Sequence, residues 1–163
     1  MTVEEVQMQI NDLAIDKFNY VSMYFNPEVW RQSDYCVRKW EINTFPPSPR
    51  SSIPSVSGVY AFVVEPTVFD FRANTGLFYI GKATSLYQRI GAYMSEIGKD
   101  FKKSKRPHIW RMINQWNGHL KYYFTITEDV HEAEQLENEM LNAFIPYFNR
   151  EFEAETSQKV RAF

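Results

Sequence analysis

"GVYAFVVEPTVFDFRANTGLFYIGKA", residues 58–83, holds two β-rich runs on either side of a long connection. Residues 57–65 and 76–83 are dense in β-branched and aromatic side chains; Pro66 opens the connection between them, and Asn74 and Gly76 close it. That pattern predicts a hairpin with a long loop. If the strands pair symmetrically about the loop, Tyr60 and Tyr79 become cross-strand neighbours and two phenols share one face.

Downstream, Thr84 or Ser85 can cap a helix whose buried stripe is Leu86, Ile90, Tyr93 and Ile97, with Arg89 at its flank one turn before Tyr93. Pro107 suits the first position of another helix that buries Ile109, Met112, Ile113 and Trp116 and stops at Asn117-Gly118. "HLKYYFTIT", residues 119–127, alternates Leu120, Tyr122, Phe124 and Ile126 on one face and reads as a third strand. The order strand, strand, helix, helix, strand, helix predicts an α/β (α+β) fold. Its centre is a small three-stranded antiparallel sheet flanked by helices.

Upstream, Thr2 and Glu5 form a capping-box pattern ahead of Val3, Val6, Ile10 and Leu13, so an N-terminal helix is expected. Residues 18–44 are aromatic and irregular, and "FPPSPRSSIPS", residues 45–55, is a proline and serine connector. The expected organisation is an N-terminal helical extension with its connector over residues 1–50, one domain over 51–150, and a loosely held tail over 151–163.

The helix "HEAEQLENEMLNAF", residues 131–144, contains four glutamates. At roughly 100° per residue, Val130, Ala133, Leu136, Met140, Leu141 and Phe144 form one apolar stripe with Glu137 near its middle. Glu132 and Glu139 point away from the stripe and Glu134 lies toward one flank. An inward carboxylate needs a partner. A structural ion pair and a metal or acid/base carboxylate both satisfy that need.

Composition narrows the classes. The single cysteine, Cys36, excludes an intrachain disulfide, and with three histidines no zinc-finger spacing arises. The acidic start "MTVEEVQ" and the absence of a long apolar run point to a cytoplasmic chain with no membrane segment. The net charge of -2 conceals an uneven distribution, with residues 51–127 at +6 and residues 128–163 at -6. Lys99, Lys102, Lys103, Lys105, Arg106 and Arg111 concentrate in "KDFKKSKRPHIWR", with Trp110 beside them, and suit a phosphate backbone. "GLFYIGKA" nearly matches a phosphate-binding loop. Its interior favours a strand, however, and Ala83 lacks the hydroxyl such loops use on Mg²⁺.

"GVY", "YIGKA", Arg89, Tyr93, Glu137 and the run from Pro146 to Asn149 occur in an order that resembles the GIY-YIG nuclease family over residues 57–149. The resemblance implies that Gly58 and Tyr60 match the first signature, and that Tyr79, Ile80 and Gly81 match the second. It further implies that Arg89 is the catalytic arginine, Glu137 the metal-binding glutamate and Asn149 the residue that closes the site, with Lys82 and Tyr93 supporting. The implied activity is Mg²⁺-dependent DNA endonuclease chemistry, with Mn²⁺ as a substitute ion. In it Arg89 meets the non-bridging oxygens and Tyr60 takes a proton from the attacking water while Tyr79 orients it. A phenol must fall below about pH 10 to do this, and the nearby cation and guanidinium are expected to lower it. Double-stranded DNA is the expected partner, RNA stays open, and the N-terminal extension can supply a homodimer contact. The lack of a second DNA-reading domain suggests a compact restriction-like or phage-type enzyme. The alternative is a catalytically silent nucleic-acid-binding or interaction module of the same fold.

Overall fold

The computed structural model describes Thr2, Glu5 and residues 24–33, 37–65, 76–146 and 148–149. Its elements are β1 (Tyr24–Phe25), α1 (Pro27–Gln32), β2 (Glu41–Thr44), β3 (Gly58–Val64), β4 (Leu77–Ala83), α2 (Leu86–Met94), α3 (Pro107–Gln115), β5 (Leu120–Ile126), α4 (Val130–Ala143) and β6 (Phe144–Ile145). The capping box forms as expected: the Glu5 N–H donates to Thr2 Oγ1 at 3.2 Å and the Thr2 N–H donates to Glu5 Oε2 at 2.6 Å. The rest of that helix, the loop over residues 66–75 and the tail over 151–163 lie outside the described residues.

The main sheet runs β2-β5-β3-β4 and is antiparallel throughout. It therefore has four strands, not the three expected. The added strand, "EINT", is almost wholly exposed along its length and carries no alternating apolar signal. It is an edge strand that joins through backbone pairing with β5, Glu41 opposite Phe124 and Thr44 opposite Lys121. Tyr24–Phe25 pair separately with Phe144–Ile145.

Each face of the sheet covers its own core. Tyr60, Phe62, Tyr122 and Phe124 meet Leu86, Ile90 and Tyr93 of α2 and Ile109, Met112 and Ile113 of α3 on one side. Val59, Ala61 and Ile80 meet Ala133, Leu136 and Met140 of α4 on the other, with Trp30 and Trp40 packed alongside. Phe45 and Ile53 of the proline and serine connector are buried in the first core, because the connector crosses that face of the sheet on its way to β3. Two expected apolar positions stay exposed, Ile126 at 48% and Val130 at 43%, since each stands at the end of its element. Among the described residues no helix is long and apolar enough to cross a membrane.

The hairpin register differs from the symmetric expectation. Tyr60 lies opposite Gly81, and Tyr79 lies opposite Phe62, with a shift in register after Phe62. The slip amounts to two positions, and because side chains alternate with a period of two it keeps both tyrosines on one face. Their rings are diagonal neighbours, stacked at 6.2 Å.

Candidate active site

Four tyrosines converge where α2 crosses the sheet. Tyr60 comes from β3, Tyr79 from β4, Tyr93 from α2 and Tyr122 from β5. The Tyr60 and Tyr93 hydroxyls are hydrogen-bonded at 2.8 Å, and the Tyr60 ring stacks on Tyr122 at 5.6 Å. Gly81 makes room for them: a Cβ there would lie 2.5 Å from the Tyr60 hydroxyl and 2.9 Å from the Tyr79 ring. Gly58 is constrained by backbone, since its Cβ would lie 2.3 Å from the Thr125 carbonyl oxygen. The two signature glycines thus serve close approach.

The electrostatics of Tyr60 run against the expectation of a lowered phenol. Burial drives it well above its ordinary range and neighbouring Tyr79 adds to the rise, while the hydrogen bond from Tyr93 and the Arg89 charge lower it by less. Tyr93 is also raised, chiefly by burial. The Arg89 charge reaches Tyr60 as expected but does not offset its complete removal from water. Tyr79, by contrast, is only partly buried. Tyr122 escaped the sequence reading of the site; its hydroxyl is buried with no hydrogen-bond partner among the described residues. Its only signal in the sequence was its phase with Leu120 and Phe124.

Glu137 is turned inward, its side chain 17% exposed. Its Oε1 accepts the Lys82 backbone N–H at 3.0 Å, and its Oε2 lies 3.4 Å from Lys82 Nζ. Burial raises its carboxyl above the ordinary range, with Lys82 pulling the other way by less. Lys82 Nζ also meets Glu134 Oε1 at 2.5 Å, an interaction that raises the ammonium. The remaining glutamates of α4 are not simply solvent-facing. Glu132 pairs with Arg38 and Glu139 accepts from Ser33 Oγ, because the segment from α1 to β2 lies against that flank of the helix.

Asn149 closes on backbone. Its Nδ2 donates to the Ile80 carbonyl at 2.7 Å and its Oδ1 accepts the Ile80 N–H at 2.9 Å. It clamps β4 next to the glycine that seats the tyrosines.

Arg89 is exposed on α2, and no ion pair holds it among the described residues. The basic segment begins directly after that helix. Arg106 reaches back to place its guanidinium over the Tyr93 ring, 5.0 Å from the centroid. Glu96, only 5% exposed, organises the segment: its Oε1 receives Lys99 Nζ at 3.0 Å. Burial raises the Glu96 carboxyl, but the neighbouring Ser104 hydroxyl and the Lys99 ammonium outweigh it and leave the group lowered. Asn114 ties the turn, donating to the Glu96 carbonyl and accepting from the Gly98 N–H, both at 2.8 Å. Lys102, Lys103 and Lys105 stay exposed, whereas Arg111 turns to Gln115 and Trp110 is buried. Arg111 and Trp110 therefore stand apart from the exposed face of the cluster.

The donor set defines what ion could sit at Glu137. Among the described residues no group of three His, Cys, Asp or Glu side chains comes together, so they build no zinc-type cage there. A single part-buried carboxylate fits a hard cation such as Mg²⁺ that keeps most of its water.

Comparison with known proteins identifies the family of this domain. The family model for the UvrC-like GIY-YIG domain matches residues 57–150. UvrABC system protein C of Nocardia farcinica is 30% identical over 100 residues, which is 61% of this chain and 14% of that protein. The protein of the same name from Neisseria meningitidis serogroup B is 31% identical over 98 residues, 60% of this chain and 13% of its own length. The chain thus spans about one-seventh of the curated relatives it matches. Among solved structures, the magnesium-bound GIY-YIG N-terminal endonuclease domain of UvrC from Thermotoga maritima aligns at 18% identity and a TM-score of 0.44, covering 63% of this chain and 93% of that one. The family match starts one residue before Gly58 and ends one after Asn149, enclosing the tyrosine cluster, Arg89 and Glu137, and the chain belongs to the GIY-YIG nuclease family in its UvrC-like form.

Proposed function

We propose that this chain is a metal-dependent endonuclease that hydrolyses DNA phosphodiester bonds. The observation that carries the reading is the inward Glu137 carboxylate. It is held on the Lys82 amide, next in sequence to the glycine on which Tyr60 and Tyr79 rest. β4 lies between the sheet face that carries Tyr60 and Tyr79 and the face covered by the helix of Glu137.

Glu137 would hold Mg²⁺, with Mn²⁺ as a substitute, and the ion supplies Lewis-acid polarisation of the scissile phosphate. Arg89, exposed on α2, meets the non-bridging oxygens and stabilises charge that builds on them. Water reaches the partly exposed Tyr79 and not the buried Tyr60, so Tyr79 is the base: it would act as the phenolate, its own proton already released to solvent, and would return to the neutral phenol on taking the proton of the attacking water. Tyr60 keeps its own proton and holds Tyr93 by their hydrogen bond. Lys102, Lys103 and Lys105 run along the DNA backbone. One such site cuts one strand, so a double-strand break takes two copies or successive nicks.

The test is a supercoiled-plasmid assay. Wild type should produce nicked circles only when Mg²⁺ or Mn²⁺ is added, Glu137→Ala should produce none, and Arg89→Ala should bind DNA without cutting it. Metal-independent binding with no nicks by wild type overturns the proposal in favour of a silent module. The restriction-like or phage-type setting belongs to the same proposal and is tested by substrate. Cleavage of intact duplex at discrete positions supports it, and cleavage confined to lesion-bearing DNA removes it.

A further inference from the structure

We infer that Glu134 is a positioning residue that draws the Lys82 ammonium off Glu137 and so keeps Glu137 available to a divalent cation. The inference rests on the metal reading of Glu137 above. One ammonium stands between two carboxylates. Lys82 Nζ is 2.5 Å from Glu134 Oε1 and 3.4 Å from Glu137 Oε2. The two acids are three residues apart on α4, which places them side by side on one flank of the helix.

Their surroundings differ in a way that matters. The Glu137 side chain is 17% exposed and the Glu134 side chain 53%. Attraction between opposite charges is stronger where water is scarce, so with Glu137 alone within reach the ammonium would settle there. A monovalent cation fixed on that carboxylate competes directly with a divalent one. Glu134 supplies a second seat on the solvent side, and in this structure the shorter contact is to that seat. The backbone N–H of Lys82 stays on Glu137 Oε1 at 3.0 Å in either case, which keeps the carboxylate oriented while the side chain moves away. Glu134 therefore acts through Lys82 and need not touch the ion.

A competing account is that Glu134 attracts the cation simply by its charge. A double-mutant cycle separates the two. The full chain is titrated with Mn²⁺ and the free ion is followed by electron paramagnetic resonance, for wild type, Glu134→Gln, Lys82→Met and the double variant. Glu134→Gln should weaken Mn²⁺ binding about tenfold when Lys82 is present. In the Lys82→Met background it should change binding by less than about twofold, the residual effect of an exposed charge. Lys82→Met alone should bind Mn²⁺ at least as tightly as wild type. An equal loss in both backgrounds, or no loss in either, overturns the inference. Glu137→Gln is measured alongside; if it keeps wild-type affinity, the metal reading itself falls and the inference with it. Thermal melts confirm that each variant is folded.

Discussion

Burial disfavours the ionised form of Glu137. Its folded-state carboxyl is raised above 4.5, chiefly by burial. A raised acid stabilises the fold fully at pH below its unfolded value, and that contribution is lost as pH rises through the folded value. At neutral pH the charged side chain is therefore a net cost to stability. Glu137→Gln, which keeps an oxygen for the Lys82 amide, should raise Tm at pH 7, and the gain should shrink to nothing as pH falls below about 4.5. Thermal melts of both proteins across that window check the sign. An unchanged or lower Tm at neutral pH would show that the Lys82 pairing outweighs burial. Glu137 was legible in the sequence because one helix phase angle sets it apart from its three neighbours. Which phenol meets water was not legible, because Tyr60 and Tyr79 differ only in what covers them.

The edge strand β4 is covered along its outer rim by one backbone and two side-chain partners. Phe78 accepts from the Phe148 N–H at 2.9 Å, Ile80 is held on both backbone groups by Asn149, and the Lys82 N–H donates to Glu137. Positions 78, 80 and 82 follow the two-residue repeat of a strand, so the Phe78 carbonyl, both backbone groups of Ile80 and the Lys82 N–H find partners on the outer edge, which blunts it for pairing with another chain. Asn149→Ala removes both contacts at Ile80 and should cost about 1–3 kcal/mol. Amide hydrogen exchange should quicken at Ile80 more than in β3, whereas uniform quickening would mean that the clamp is not local. At the basic segment, Glu96 decides between order and mere charge. Glu96→Gln makes the segment more positive, which by itself strengthens DNA binding. If the carboxylate organises Lys99 and Ser104 for phosphate contact, binding should weaken severalfold instead, as a fluorescence anisotropy titration at fixed salt would read.

At the scale of the molecule, the described residues between 24 and 50 are built into the domain. β2 completes the sheet, Phe45 is buried among Phe62 and its neighbours, and Trp30 meets Phe144 edge-on at 5.2 Å. Arg38 with Glu132 and Ser33 with Glu139 tie the same segment to α4, the helix that presents Glu137. Deleting residues 1–50 should therefore cost at least ~3 kcal/mol, the scale of losing one buried phenylalanine. Denaturant unfolding of the truncated chain measures it. Wild-type stability after truncation would mean that residues 51–150 fold as a unit without the earlier segment.

Sequence alone determined what depends on local periodicity and local chemistry. That includes the hairpin, the alternation of β5, the cap at Thr2, a cap at Thr84 or Ser85, the helix start at Pro107, and the inward phase of Glu137, since each is set by residues within a few positions of one another. Only the tertiary structure decided the fourth strand, the offset hairpin register, the burial of Tyr60 and the sharing of Lys82 between Glu134 and Glu137. Strand pairing, desolvation and ion pairing arise between residues far apart in the chain, and their strength depends on distance and on how much water remains, neither of which is written in the order of the residues.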